Sequence, residues 1–135
     1  MNRILAVSMI ALLVISCTPT KKDKVEEKPL MDQIMEAHDE VMPKMGALMK
    51  TRRELLAKSE AVSSSDSTLA VELNFLAQEL DLANESMMDW MRNFDPEFTG
   101  TEEEVQKYLL LKKEGIQKVA EAMNSSLVKG KEALK

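Results

Sequence analysis

Residues 30–56 read LMDQIMEAHDEVMPKMGALMKTRRELL, and every third and fourth position in turn yields one seam. It runs Met31, Ile34, His38, Val41, Met45, Leu48, Arg52, Leu55. Steps alternating between three and four residues place a single stripe on one side of an α-helix. A second row runs at sevens through Met35, Met42, Met49 and Leu56. One face of this helix is therefore rich in methionine, with the only histidine of the chain at its centre. What that face meets decides how the rest of the chain folds around it.

Pro29 suits the first turn of this helix, where a missing N–H costs nothing. Pro43 removes the bond to the Asp39 carbonyl and should bend the helix. The seam keeps its phase from Val41 to Leu55, so the spacing predicts a kink and not a boundary. Gly46 beside the kink is expected to let another helix approach closely. A loop is expected over 59–67, SEAVSSSDS, with Asp66 or Ser67 capping the second helix. That helix carries the seam Leu69, Leu73, Leu76, Leu80, Ala83, Met87, Trp90, Phe94, and Asp95-Pro96 ends it. The third opens on Thr101-Glu102-Glu103-Glu104, a capping box. Its stripe, Val105, Leu109, Ile116, Val119, Ala120, Met123, Leu127 and Leu134, is interrupted at Lys112 and Gly115, and Gly130 with the last lysines suggests fraying.

Short connections force neighbouring helices to be antiparallel. The expected fold is all-α: residues 30–135 form an antiparallel up-down-up three-helix bundle with a kinked first helix. The alternative is a helical hairpin that completes its core by dimerising, so a homo-oligomer is one expected state. A chain of 135 residues makes one domain. With Gly 4, Pro 4 and few aromatic residues, and no run of alternating β-branched residues, strand is not expected. The formal net charge of −5, without basic blocks, argues against nucleic acid. No phosphate-binding glycine loop and no His or Cys pair at metal spacing occurs.

Ahead of the bundle, Met1-Asn2-Arg3 is followed by an apolar run from Ile4 to Ile15, too short to span a bilayer and suited to a signal peptide. It ends Val14-Ile15-Ser16-Cys17. An aliphatic residue, a tolerant position, a small residue and then cysteine resemble the bacterial lipobox. That resemblance implies lipid transfer to the Cys17 thiol, cleavage between Ser16 and Cys17, and acylation of the new amino group. Residues 1–16 would then be a lipoprotein signal peptide, and 17–29 the lipidated cysteine with a charged, disordered tether. Two or three acyl chains hold a protein on a membrane without a spanning helix. Thr18 after the cysteine resembles the sorting pattern for release to the outer membrane, so the expected location is a cell envelope, lipid-anchored, at the outer membrane.

Folding the first helix back on the second pairs residues whose numbers sum to about 125. This arrangement predicts His38 facing Met87, with Trp90 one turn away and Met42 close by. One reading is a soft-metal site: thioether and imidazole ligands select Cu(I) or Ag(I). His38, Met42, Met45 and Met87 would be its ligands and Trp90 its lid, through a cation–π contact. The plainer reading is core packing, since methionine fills irregular gaps and packs well on aromatic rings. A seam histidine would then point a nitrogen at a polar neighbour such as Glu85 or Tyr108. An open methionine face could instead bind apolar partners. Arg52 and Lys112 are expected to run their stems along bundle edges. With no Ser/His/Asp arrangement and no long cleft-forming loop, catalysis is not expected, nor a resident cofactor outside the Cu(I) alternative.

The stretches HDEVMPKM (38–45) and MMDWMRNFDPEF (87–98) resemble a family of small bacterial helical lipoproteins, some of which carry the label "viral A-type inclusion protein". The likeness covers roughly residues 30–130 and implies no activity, cofactor or catalytic residue. The leading expectation is an envelope lipoprotein with a structural or protein-interaction role and an unidentified protein partner.

Overall fold

The computed structural model describes residues 28–135; the signal-peptide, cleavage and Cys17 readings and nearly all of the tether lie outside the described residues. Four helices occur in order: α1 (Leu30–Val41), α2 (Met45–Val62), α3 (Ser67–Arg92) and α4 (Glu102–Ala133). A three-residue 3₁₀ turn, Met42–Lys44, joins α1 to α2. No strand occurs among the described residues. α1 and α2 together act as one bent rod, so the architecture is three helical rods around one core, as the periodicity implied.

The bend is where Pro43 places it. Without an N–H at 43, the chain tightens for one turn: the Met45 N–H bonds the Met42 carbonyl instead of the one a residue earlier. The buried stripe passes through this turn without slipping, as Ile34, Val41, Leu48 and Leu55 are all fully buried. These four lie at intervals of seven. So do Leu73, Leu80 and Met87 on α3 and Ile116 and Met123 on α4, all equally buried. A seven-residue apolar repeat is the pattern of left-handed coiled-coil packing, in which each side chain drops between neighbours of the facing helix. Each such side chain removed from water contributes about 1.5–3 kcal/mol, and this offsets the entropy of ordering three long rods.

The contacts fix which rods touch. α2 packs on α3, α3 on α4, and both α1 and α2 on α4. Between α2 and α3, Ser59 Oγ donates to the Ala70 carbonyl at 2.9 Å and Arg52 pairs with Asp81 at 3.2 Å. Between α3 and α4, Lys129 pairs with Glu79 at 3.2 Å and Trp90 Nε1 donates to the Lys112 carbonyl at 3.1 Å. In both cases residue numbers rise on one helix as they fall on the other. Against α4, Lys44 Nζ donates to Asn124 Oδ1 and Lys58 Nζ to the Ala133 carbonyl, each at 2.8 Å; here the numbers rise together.

Several local expectations are corrected. Pro29 caps α1 from just outside it, its carbonyl accepting the Gln33 N–H at 3.1 Å. The loop after α2 is shorter than 59–67, because the helix continues to Val62. Ser59 belongs to the core side, its hydroxyl satisfied by Ala70, so its polarity marks a helix–helix contact and not a loop. Asp66 is the cap of α3, accepting the Leu69 N–H at 2.9 Å. Gly46 has no neighbour within 4 Å of where a Cβ would sit, so no helix approaches it. Gly130, read as a fraying point, is buried: a Cβ there would meet Thr51 Cγ2 at 2.9 Å and Leu80 Cδ1 at 3.1 Å. The capping box forms as written, with Thr101 Oγ1 accepting the Glu104 N–H and Glu104 Oε2 accepting the Thr101 N–H.

Candidate functional site

The 93–101 connection and the adjoining helix ends hold a column of rings. Trp90 and Phe94 stack at a centroid distance of 4.8 Å, and Phe98 and Tyr108 at 4.2 Å. Phe94 and Tyr108 join the two pairs at 6.5 Å, and His38 reaches the column from α1, its ring 6.0 Å from Trp90 at a tilt of 32°. The column holds the sole histidine, tryptophan and tyrosine of the chain. Its geometry arises because α3 ends at Arg92, just past Trp90, so that Phe94 continues the buried side while the chain turns. The Tyr108 hydroxyl accepts the Asp95 N–H at 2.6 Å, and Lys112 places its Nζ on the Asn93 carbonyl and 5.2 Å from the Tyr108 ring centre. The lysine that interrupts the α4 stripe thus latches the connection shut.

Trp90 also explains the second interruption. A Cβ at Gly115 would lie 3.2 Å from Trp90 Cδ1 and 3.3 Å from Nε1. Glycine there leaves the indole room to lie against α4 and donate to the Lys112 carbonyl. The stripe is broken because an aromatic ring from another helix fills the gap.

The expected metal-site residues occupy three environments. Met87 is fully buried in the core and Trp90 nearly so. Met45 is half-buried beneath the bend. Met42 is on the outside, 38% exposed. His38 lies between, its side chain 19% exposed, with Nδ1–H donating to Asp39 Oδ1 at 2.8 Å. Its polar neighbour is therefore Asp39 on its own helix. Tyr108 serves the 93–101 connection, and Glu85 lies 3.9 Å from Arg92. The second methionine row forms a half-open ridge along the bent rod, with Met35, Met42 and Leu56 each a little over a third exposed. Among the described residues no group of three His, Cys, Asp or Glu side chains could hold a metal ion.

Sequence reasoning missed the outer face of α3. Val71, Phe75 and Leu82 are 70, 59 and 60% exposed, and steps of four and seven put them in line. The signal was present as a second apolar row on the side of the helix opposite the buried one, but it was overshadowed by the stronger seam. Beside Leu82, a shallow groove of about 230 Å³ runs between α3 and α4, bordered by Ala83, Ser86, Ala122 and Ser125. Neither a family model, nor a curated protein, nor a solved structure matches this chain.

Proposed function

We propose that the protein is a lipid-anchored component of a bacterial cell envelope whose helical bundle works by contacting another protein, without catalysis. The observation that carries the reading is the exposed row Val71, Phe75 and Leu82 on α3. Covering these largely exposed side chains would gain part of the about 1.5–3 kcal/mol that full burial gives each, and their alignment on one solvent face, rather than scattered placement, is what points to a contact surface. The small residues bordering the groove beside Leu82 leave room for one branched side chain from the partner.

Four of the five acids on α3 are already ion-paired within the bundle, Asp81 with Arg52, Glu79 with Lys129, and Glu85 and Asp89 with Arg92. The partner surface is therefore defined by its apolar side chains, as in an amphipathic segment laid along the row. Attachment in this reading comes from acyl chains on Cys17, supported by the apolar run that ends Val14-Ile15-Ser16-Cys17. No helix among the described residues is long and apolar enough to cross a membrane. Thr18 after the cysteine favours the outer membrane.

The test is a photo-crosslinking amino acid placed at Phe75 or Leu82 in intact cells, with Glu121 on α4 as an exposed control. Adducts to one other protein from positions 75 and 82, absent from 121 and weakened by Phe75→Ala, are expected. Adducts only to a second copy of the chain, or none at 75 and 82, would overturn the contact reading. The anchor is tested separately: Cys17→Ser should move the protein from the membrane fraction to the soluble one and abolish labelling by a fatty-acid analogue.

A further inference from the structure

α1 carries the pattern Met35-x-x-His38-x-x-x-Met42, and we propose that these three side chains bind a soft monovalent cation of the Cu(I)/Ag(I) class, with the Trp90 indole as one wall. Residues three before and four after a given position are its neighbours on the same helix face, with Cβ atoms about 5–6 Å apart. The helical register holds as far as Met42, whose N–H bonds the His38 carbonyl although the 3₁₀ turn begins there. Two flexible thioether arms therefore flank one imidazole from above and below.

Three further observations converge on this trio, and the first sets Met87 apart from it. The first is access: Met35 and Met42 are 37 and 38% exposed, whereas Met87 is 0% exposed and locked in the core. A cation could reach Met87 only by opening the bundle. The second is orientation. His38 Nδ1 lies 2.8 Å from Asp39 Oδ1, so a neutral imidazole that donates there keeps its lone pair on Nε2. A carboxylate behind an imidazole fixes its tautomer and strengthens it as a ligand. The third is the ring: the Trp90 and His38 ring centres lie 6.0 Å apart, which puts the indole beside the imidazole, and the indole N–H is tied to the Lys112 carbonyl.

The donor set determines the class of ion. Two thioethers and an imidazole are soft to borderline ligands that favour Cu(I) or Ag(I), while Mg(II) and Ca(II) require oxygen donors that this trio lacks. Binding involves no change of oxidation state and no bond-breaking. The three ligands are on α1 and its C-cap, and the Val71–Phe75–Leu82 row is on the solvent side of α3 whereas Trp90 is buried, so variants in one set test metal binding and variants in the other test protein contact.

Trp90 is the only tryptophan and makes the site self-reporting. The experiment titrates the full chain with Ag(I), and anaerobically with Cu(I) against a competing chelator, following Trp90 emission. Cys17→Ser is present throughout so that a free thiol cannot compete. Saturation at one equivalent is expected, with affinity at least tenfold weaker in Met35→Leu/Met42→Leu and in His38→Ala, and changed less than twofold in Met45→Leu and Met87→Leu. Leucine conserves methionine's volume, so the double variant should fold, and a circular-dichroism melt checks it. A flat titration overturns the site. Unchanged affinity in Met35→Leu/Met42→Leu, or loss in Met87→Leu as large as in His38→Ala, overturns this ligand set.

Discussion

Two glycines on long helices should respond in opposite directions to the same substitution. Alanine in place of a helical glycine gains about 0.5–1 kcal/mol where the new methyl group meets nothing, through helix propensity and a less flexible unfolded chain. Gly46 is that case, with open space within 4 Å of its Cβ position. At Gly130 the methyl would arrive 2.9 Å from Thr51 Cγ2, 3.1 Å from Leu80 Cδ1 and 3.4 Å from Leu55 Cδ1. All three neighbours are buried, Leu55 and Leu80 fully, and none is the free end of a surface chain that can swing aside. Overpacking of this kind costs about 1–3 kcal/mol. Set against the same propensity gain, Gly130→Ala should be destabilising by up to about 2 kcal/mol. The closest atom is a methyl that serine lacks, so Thr51→Ser should recover part of the loss, a coupling of at least about 0.5 kcal/mol in a double-mutant cycle. Urea unfolding followed by Trp90 fluorescence and by circular dichroism measures each variant against the parent protein. If Gly130→Ala is stabilised as much as Gly46→Ala, or if Thr51→Ser leaves its effect untouched, α4 does not pack against α2 at this level.

The core and the caps yield two other outcomes. Leu73→Ala removes a fully buried side chain from the middle rod and should lower unfolding free energy by about 2–5 kcal/mol with an unchanged urea m-value. The Thr101 N–H and hydroxyl hold the Glu104 carboxyl below its ordinary value near 4.5. A depressed carboxylate contributes stability that is fully present above that ordinary value and is lost as pH falls through the lower folded value. The advantage of the parent protein over Glu104→Gln should thus hold from pH 7 to about 5 and close below it. Glu114 is depressed in the same direction by Lys118, but both proteins share that pair. A gap that persists unchanged to pH 2.5 would refute the cap's ionic character.

The three rods, their caps and most of the core were written locally. Intervals of three, four and seven apolar residues need no partner to be recognised, because a helix shows its buried side in its own period. Thr101 with Glu104, and Asp66 ahead of α3, announce helix starts by hydrogen bonds that reach only three residues. Pro43 declares its bend for the same reason, since what it lacks is a single local N–H.

Packing between the rods settled the roles of small and polar residues. Gly46 and Gly130 are indistinguishable in sequence, yet one faces open space and the other is pressed against α2 and α3, because helix proximity depends on which rods meet and at what height. Ser59 looked like a loop residue until the Ala70 carbonyl supplied its partner. Gly115 and Lys112 broke a stripe that Trp90 completes from another helix. His38 and Trp90 lie 52 positions apart, and only the packing of the rods brings their rings within 6.0 Å. The same packing separates one methionine set into Met87, sealed in the core, and Met35 and Met42, open to solvent. Period reports that a side is apolar; whether that side is covered depends on how many neighbours the fold provides, and a chain read one residue at a time does not carry that number.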